Sequence, residues 1–390
     1  MLRFLTAGES HGKGLIGVLE GLPHGLAIDT DFINRQLSRR QLGHGRGNRM
    51  KIERDRAEIM SGVRNGLTLG SPISFIVYNR DWSRWKTPMS IQPVPPKSNI
   101  RAVANPRPGH ADLAGALKFQ THDIRDVLER ASARETAARV AAGAFCLQLL
   151  GHFDIKVGSH VIAIGRQRIA KRFENLESHA VFDLDPMSDI RCADLNAGRR
   201  MMRLIDEAQK AGNSLGGIVE VIASPVPPGL GSYIQWDLRL DGLIAQAMMS
   251  IPSAKAVEIG EGVKIAQSLG SSVHDEIFYE SSTRRFYRRT CRAGGIEGGI
   301  SNGGDIRVRV YFKPIPTLRR PLHSVDIRTK RAFKAAVERS DTCVVPAAGV
   351  IAEAILGLVL SKAFLEKFGG DSIREIEINY ANYTRLLDEF

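Results

Sequence analysis

The order of the elements this chain can form limits its fold more than any other feature. Residues 15–22, 57–63 and 73–78 read as strands, with an Asn65-Gly66 turn between the last two. Residues 218–223, 256–259 and 306–312 read as strands of the second half; in the last, Ile306, Val308 and Val310 share one face, and Arg307 and Arg309 the other. Helices are predicted from an Asp29 or Thr30 cap to about residue 42, with Phe32, Ile33 and Leu37 on one side, and from about Asp112. Three more are predicted: from a Ser132-Ala133-Arg134-Glu135 capping box to about residue 150, stopped by Gly151, over 237–249, and over the apolar stretch 347–368. A last strand is expected at 373–378. Strands and helices mix without strict βαβ alternation, so the fold class is α+β rather than a doubly wound sheet. The length of 390 residues would suit roughly two to three domains, but no break in composition marks a boundary, and one large domain spanning 1–390 is expected.

Hydrophobic residues make up 43% and charged residues 25%, enough apolar material for a sizeable core, which excludes disorder as the main description. The longest apolar run, 344–360, is interrupted by Pro346, Gly349 and Glu353, and no membrane span is expected. The N-terminus reaches a Gly-Glu-Ser-His-Gly run by residue 8, which leaves no room for a signal-peptide apolar region. Cys146, Cys192, Cys291 and Cys343 are far apart and form no C-x-x-C pair. A disulfide framework or a thiolate zinc site is therefore not expected, nor any metal, and a reducing cytoplasm fits.

The formal net charge of +12 suits nucleic acid, an anionic membrane surface or a small polyanion. Aromatic residues are only 6%, which disfavours a single-strand-binding platform, and no helix-turn-helix, RRM or zinc-finger signature is present. No P-loop and no H-E-x-x-H occurs. Gly12-Lys13-Gly14-Leu15-Ile16-Gly17 fits G-x-G-x-x-G in letters but runs into a strand where a dinucleotide site needs a helix. Gly8-Glu9-Ser10-His11-Gly12 fits G-x-S-x-G but lacks the helix that follows a nucleophile elbow.

What distinguishes the sequence is where its arginines sit. Arg39 and Arg40 at a helix end are explained by the helix dipole, but Arg46 and Arg49 lie beyond it in a glycine-rich loop, where guanidinium forks suit phosphate or carboxylate. Six prolines between residues 80 and 109 leave no regular element there, and the segment ends in Arg107-Pro108-Gly109-His110, an arginine and an imidazole on a rigid loop. Arg339-Ser340-Asp341 sets a carboxylate beside an arginine ahead of a helix, and Lys313-Pro314-Ile315-Pro316-Thr317 is a two-proline turn able to grip a phosphate.

Together these runs resemble the chorismate synthase family. The carriers are Gly8 to Gly12, the loop 45–53, Arg107-Pro108-Gly109-His110-Ala111-Asp112, Arg130-Ala131-Ser132-Ala133-Arg134-Glu135-Thr136, Asn213-Ser214-Leu215-Gly216-Gly217, Gly298-Gly299-Ile300-Ser301-Asn302-Gly303 and Arg339-Ser340-Asp341, in the family's order along most of the chain. The resemblance implies a β-α-β sandwich, usually a homotetramer, that converts 5-enolpyruvylshikimate 3-phosphate to chorismate and phosphate by 1,4-elimination with reduced FMN and no net redox change. It implies that Ser10, His11, Arg40, Arg46, Arg49, Arg107, Arg134 and Arg339 line the substrate. It implies that Arg130, Ala131, Ser132, Ser253, Ala254, Gly298, Lys313, Pro314, Ile315, Pro316, Thr317 and Arg339 line the flavin. His11, His110 and Asp341 would be the proton-transfer groups: His11 toward the leaving phosphate, His110 near the pyrimidine end of the flavin, Asp341 assisting removal of the substrate hydrogen. Arg40 and Arg46 also match positions that would serve an NADP-type ligand in relatives with reductase activity. The chain shows no added flavin-reducing domain, so a separate flavin reductase or other source of reduced FMN is expected. The chemistry agrees: a substrate with one phosphate and two carboxylates beside the phosphate of FMN is a crowd of repelling charge that guanidinium groups would offset. Two other readings, a nucleic-acid-binding protein and a hydrolase with Ser10 or a histidine as nucleophile, are weaker.

Overall fold

The computed structural model describes residues 1–47, 52–95, 102–335 and 341–390. Two antiparallel sheets enclose a layer of helices. The first sheet runs in the order Arg3–Ala7, Gly14–Glu20, Ile73–Tyr78, Ala57–Ser61, and its inward side chains Leu15, Leu19, Phe75 and Val77 are buried. The second runs Ala254–Ile259, Ile306–Phe312, Gly217–Ser224, Lys156–Ile164, Gln167–Arg168. Helix Thr136–His152 packs on the first sheet, helix Val345–Phe368 on the second, and the two helices pack on each other. Helices Thr30–Gln41 and Leu240–Met249 flank this pair. One continuous apolar cluster joins both sheets through the helices. The fold class is α+β, as the mixed element order implied.

The apolar helix Val345–Phe368 is long and hydrophobic enough to cross a membrane, but most of it is buried in the protein. A helix apolar on every side needs partners all round, and here they are a helix on one side and a sheet on the other. Small residues permit the close approach: a Cβ at Gly143 would lie 2.5 Å from Ala354 Cβ.

Several expected boundaries move. Residues 373–378 are not a strand but the start of helix Ile373–Glu389, opened by a capping box between Ser372 and Glu375. The run Ile-Arg-Glu-Ile-Glu-Ile satisfies both periods; the helix wins because Ile373, Ile376, Tyr380 and Tyr383 then all face the core. Conversely, Ser132 and Glu135 form no capping box. Ser132 Oγ accepts the Arg134 N–H across a 3-10 turn, Glu135 pairs with Arg139 at 3.0 Å, and the helix proper starts at Thr136 and passes Gly151 to His152. The expected helix 237–249 divides into a 3-10 turn Trp236–Leu238 and helix Leu240–Met249. Asn65-Gly66 closes a small hairpin of Val63–Arg64 with Leu67–Thr68. Among its described residues the proline-rich stretch contains one regular piece, the 3-10 helix Arg80–Arg84. Arg307 and Arg309 do lie opposite Val308, but they are not solvated: Arg309 Nε donates to the buried Glu220 at 2.9 Å, and Arg307 lies 3.6 Å from it.

Candidate active site

A cavity of about 680 Å³ opens at the end of the helical layer, within the roughly 300–1,000 Å³ usual for small-molecule sites. Segments distant in sequence build its wall: Ser10 and His11, Arg40 from the last turn of the first helix, Arg46 and Gly47 beyond it, Trp85, the 107–111 loop, residues 125–136, the 249–255 turn, Lys313 with Ile315 to Thr317, and Asp341 leading into the central helix.

Four charged groupings organise it. In the deepest, Arg40 Nη2 donates to Asp55 Oδ2 at 2.7 Å, and Arg134 Nη1 donates to both Asp55 oxygens at 2.7 Å. Arg134 Nε also reaches Asn79 Oδ1 at 2.9 Å. Burial alone would favour a neutral Asp55, yet the two guanidinium groups hold its carboxyl below the usual range. Burial pushes the Arg40 guanidinium the other way, down from its ordinary value. One carboxylate thus serves two cations, and a second buried carboxylate, Glu53, lies 3.7 Å from Arg134 Nη2.

In the second grouping, Arg46 Nη1 donates to Asp341 Oδ2 at 2.7 Å and the Gly47 N–H to Oδ1 at 2.6 Å. In the third, His110 and Arg107 both converge on Asp112. Its carboxylate faces His110 Nδ1 at 2.5 Å and accepts from Arg107 Nε at 2.8 Å, and these contacts hold it far below the usual carboxylate range despite its burial. In the fourth, His11 Nδ1 meets both oxygens of Glu129 at 3.0 Å, and the imidazole stacks on Trp85 with ring centroids 4.0 Å apart.

The remaining wall is tied in by the main chain. Lys313 Nζ donates to the Gly109 carbonyl at 2.5 Å, and the Lys313 N–H to the Ser253 carbonyl at 2.9 Å, so the two-proline turn joins the 107–111 loop to the 249–255 turn. Ser214 Oγ donates to Ile315 O at 2.7 Å, which fixes the turn from behind. Four guanidinium groups on the wall each keep a buried N–H without a hydrogen-bond partner: Nε of Arg40, Arg46 and Arg125, and Nη2 of Arg134. Of these, Arg134 Nη2 has the Glu53 carboxylate 3.7 Å away; the guanidinium groups themselves make the wall cationic, which favours an anion.

Comparison with known proteins decides the family. The profile of the chorismate synthase family matches residues 2–365. A chorismate synthase of Geobacter sulfurreducens is 51% identical over the full length of both chains, and that of Aquifex aeolicus is also 51% identical, covering all of this chain and 99% of the relative. A crystal structure of chorismate synthase superposes with a TM-score of 0.81 at 42% identity, over 100% of this chain and 99% of that one. The chain belongs to the chorismate synthase family. It is an enzyme of the chorismate-forming step that ends the shikimate pathway.

Of the residues the family resemblance singled out, Ser10, His11, Arg40, Arg46, Arg107, His110, Ala131, Ser132, Arg134, Ser253, Ala254, Lys313, Ile315, Pro316, Thr317 and Asp341 share this one cavity. Pro314 sits between two lining residues without lining the wall itself. Arg130 is turned away: its Nη2 donates to Thr6 O at 2.9 Å and its Nη1 to Gly8 O at 3.2 Å, bracing the strand that leads into Ser10. Gly298 lies on the hairpin of Ile296–Glu297 with Ile300–Ser301, where its carbonyl accepts from Arg239, and it does not line this chain's cavity. Arg49 and Arg339 fall outside the described residues.

Sequence reasoning passed over Asp55, Glu129, Asp112, Trp85, Arg125 and Lys255. Asp112 lay inside a quoted motif, and Glu129 immediately precedes another. Trp85, one of three tryptophans, stands in a proline-rich stretch, a place for a ligand-facing ring. Asp55 gave no signal. Among the described residues no group of three or more His, Cys, Asp or Glu side chains has the geometry to hold a metal ion.

Proposed function

We propose that this chain converts 5-enolpyruvylshikimate 3-phosphate to chorismate and phosphate by 1,4-elimination, with reduced FMN present and no net redox change. The observation that carries the reading is the cavity whose wall gathers the guanidinium groups of Arg40, Arg46, Arg107, Arg125 and Arg134 around two imidazoles. A cavity of about 680 Å³ lined by these cationic groups supports the reading. Arg40, Arg46, Arg107 and Arg134, with Arg49 and Arg339, would take the phosphate and carboxylates of the substrate, and Ser10 would donate to it. Ala131, Ser132, Ser253, Ala254 and the turn from Lys313 to Thr317, with Arg339, would hold the flavin. Reduced flavin, when bound, supplies an electron-rich ring that eases loss of an allylic phosphate and of a hydrogen too weakly acidic for a side chain alone.

The chain's own residues then have separable duties. Guanidinium groups neutralise the departing phosphate. His11, with Nδ1 taken by Glu129, offers its other ring nitrogen to that phosphate as a proton donor. His110, held by Asp112, would keep a proton near the pyrimidine end of the flavin. Asp341, aligned by Arg46 and the Gly47 N–H, would assist removal of the substrate hydrogen.

The proposal extends to a cytoplasmic homotetramer supplied with reduced FMN by a separate flavin reductase or another source, with neither nucleic acid nor membrane as partner. Leu5, Met60, Tyr233, Ile234 and Trp236 are exposed apolar residues suited to contacts between copies. An assembly would also give Gly298 its flavin contact, made to the cavity of a neighbouring copy. Light scattering at four times the 42.8 kDa chain mass is the expected result. The activity test is anaerobic incubation with chemically reduced FMN and the phosphorylated substrate, read as chorismate and free phosphate. Well-folded protein that yields neither refutes the proposal.

A further inference from the structure

Glu129 grips the Ser10-His11 run along its whole edge. Its carbonyl accepts the Ser10 N–H at 3.0 Å, its Oε2 accepts the His11 N–H at 2.8 Å, and both carboxylate oxygens lie 3.0 Å from His11 Nδ1. The side chain is 1% exposed. Burial alone would favour the protonated acid, but the bonds from His11 and the charge of Arg125 hold Glu129 below the usual carboxylate range. An ionised carboxylate only accepts, so Nδ1 must be the donor.

The ring is also kept from turning. Trp85 stacks on it at 26° between planes, and Arg125 lies over Trp85 at 5.1 Å while reaching Glu129 Oε1 at 3.4 Å. Carboxylate, indole and guanidinium therefore form one clamp that borders the cavity. Besides its own Glu129 and Arg125, the clamp meets Asp81, whose carboxylate accepts the Trp85 indole N–H at 3.1 Å.

We propose that Glu129 is the positioning residue of His11: it keeps a proton on Nδ1 in both charge states of the ring, so that every proton the imidazole gains or gives passes through Nε2. This rests on the reading of His11 as the donor to the leaving phosphate. In that step the allylic C–O bond breaks and its electron pair stays with the phosphate oxygen. The Nε2–H bond breaks, its proton goes to that oxygen, and its electron pair remains on Nε2. The ring is left neutral with Nδ1 protonated, ready to be recharged at the same nitrogen. A ring free of Glu129 would relax to the Nε2–H tautomer that histidine prefers in water, and Nε2 would then have no lone pair to take up the next proton.

The test is solid-state NMR of the full-length protein labelled with 15N-histidine, at a pH where His11 is neutral, with His11 assigned by the signal lost in His11→Ala. The expected wild-type spectrum shows His11 protonated at Nδ1 and bare at Nε2. Glu129→Gln is expected to move the proton to Nε2 and to lower kcat about 10²-fold with KM unchanged. A wild-type His11 protonated at Nε2 alone overturns the proposal, as does Glu129→Gln with wild-type kcat where His11→Ala is slow. If His11→Ala itself keeps the wild-type rate, the donor reading has failed, and the wild-type tautomer still decides the positioning claim. The same spectrum decides it if Glu129→Gln does not fold.

Discussion

Replacing Asp55 by Asn keeps the side chain's shape and removes its charge. In the wild type this carboxylate accepts three charge-assisted bonds, one from Arg40 and two from Arg134, and the side chains involved are 0%, 4% and 2% exposed respectively. Taking one partner from a buried ion pair typically costs about 3–5 kcal/mol, because the other charge is left without compensation. Here two guanidinium groups lose it together. Arg134 keeps Asn79 at 2.9 Å and the buried Glu53 carboxylate at 3.7 Å, and Arg40 keeps Thr136 at 3.3 Å, each weaker than the bonds lost. The expected loss is therefore about 4 kcal/mol, read as a shift of the urea midpoint at fixed protein concentration, since assembly would add to apparent stability. Two further signatures follow from the same geometry. The freed guanidinium groups should bind inorganic phosphate more tightly than in the wild type, so the deficit should shrink when phosphate replaces chloride at constant ionic strength. Asp55 is held below its usual value of 3.8, so its contribution is complete above that value and is lost as pH falls through the lower native one. The gap between wild type and variant should thus be constant from about pH 5 to 7 and narrow below about pH 4. A midpoint shift worth under about 1 kcal/mol, or a deficit indifferent to phosphate, would refute the shared-carboxylate argument.

His11→Ala and His110→Ala should each lower kcat about 10²-fold or more in the anaerobic assay, and wild-type rates would remove their proton-transfer roles. Gly143→Ala places a methyl group 2.5 Å from Ala354 Cβ, where two buried helices meet, and should destabilise the protein by about 1–3 kcal/mol in urea titration; an unchanged midpoint would mean the helices part freely. Burial pushes the Cys146 and Cys343 thiols up to about 12, and Cys192 and Cys291 to about 11. The native protein should therefore resist a thiol-specific disulfide reagent at pH 8 and release its full thiol titre only in denaturant. Rapid reaction of any one of the four in the folded state would contradict that.

The fold was legible wherever one periodicity dominated. The alternation of 306–312 and the long, mostly apolar stretch 347–368 each allow one solution, and the structure adopts it. Residues 373–378 satisfied two patterns at once, and the Ser372–Glu375 capping box together with Phe368 and the neighbouring rings as a packing surface selects the helix. At Ser132 the letters of a capping box were present, but Glu135 is drawn to Arg139, and no local rule foresees that competition. The site was legible as a set of arginine-bearing loops. Its organisation was not, because Asp55 and Glu129 look in sequence like any surface acid and acquire meaning only when the fold buries them against guanidinium and imidazole groups from elsewhere in the chain.

Those buried acids explain how such a site can exist before any ligand arrives. Two unit charges 4 Å apart repel by about 4 kcal/mol at an effective dielectric constant of 20, so an array of bare guanidinium groups would oppose folding. Asp55 between Arg40 and Arg134, Asp341 at Arg46, Asp112 at Arg107 and Glu129 near Arg125 relieve that repulsion. The relief is incomplete by design of the geometry: one of the four carboxylates is shared by two arginines, two others also hold an imidazole, and the lysines of the wall, Lys255 and Lys313, have no carboxylate among these four. A full complement of acids would neutralise the cavity and repel an anionic ligand. Too few would leave the loops unable to converge. The observed arrangement, with carboxylates packed against the guanidinium groups and the two wall lysines added, serves both demands.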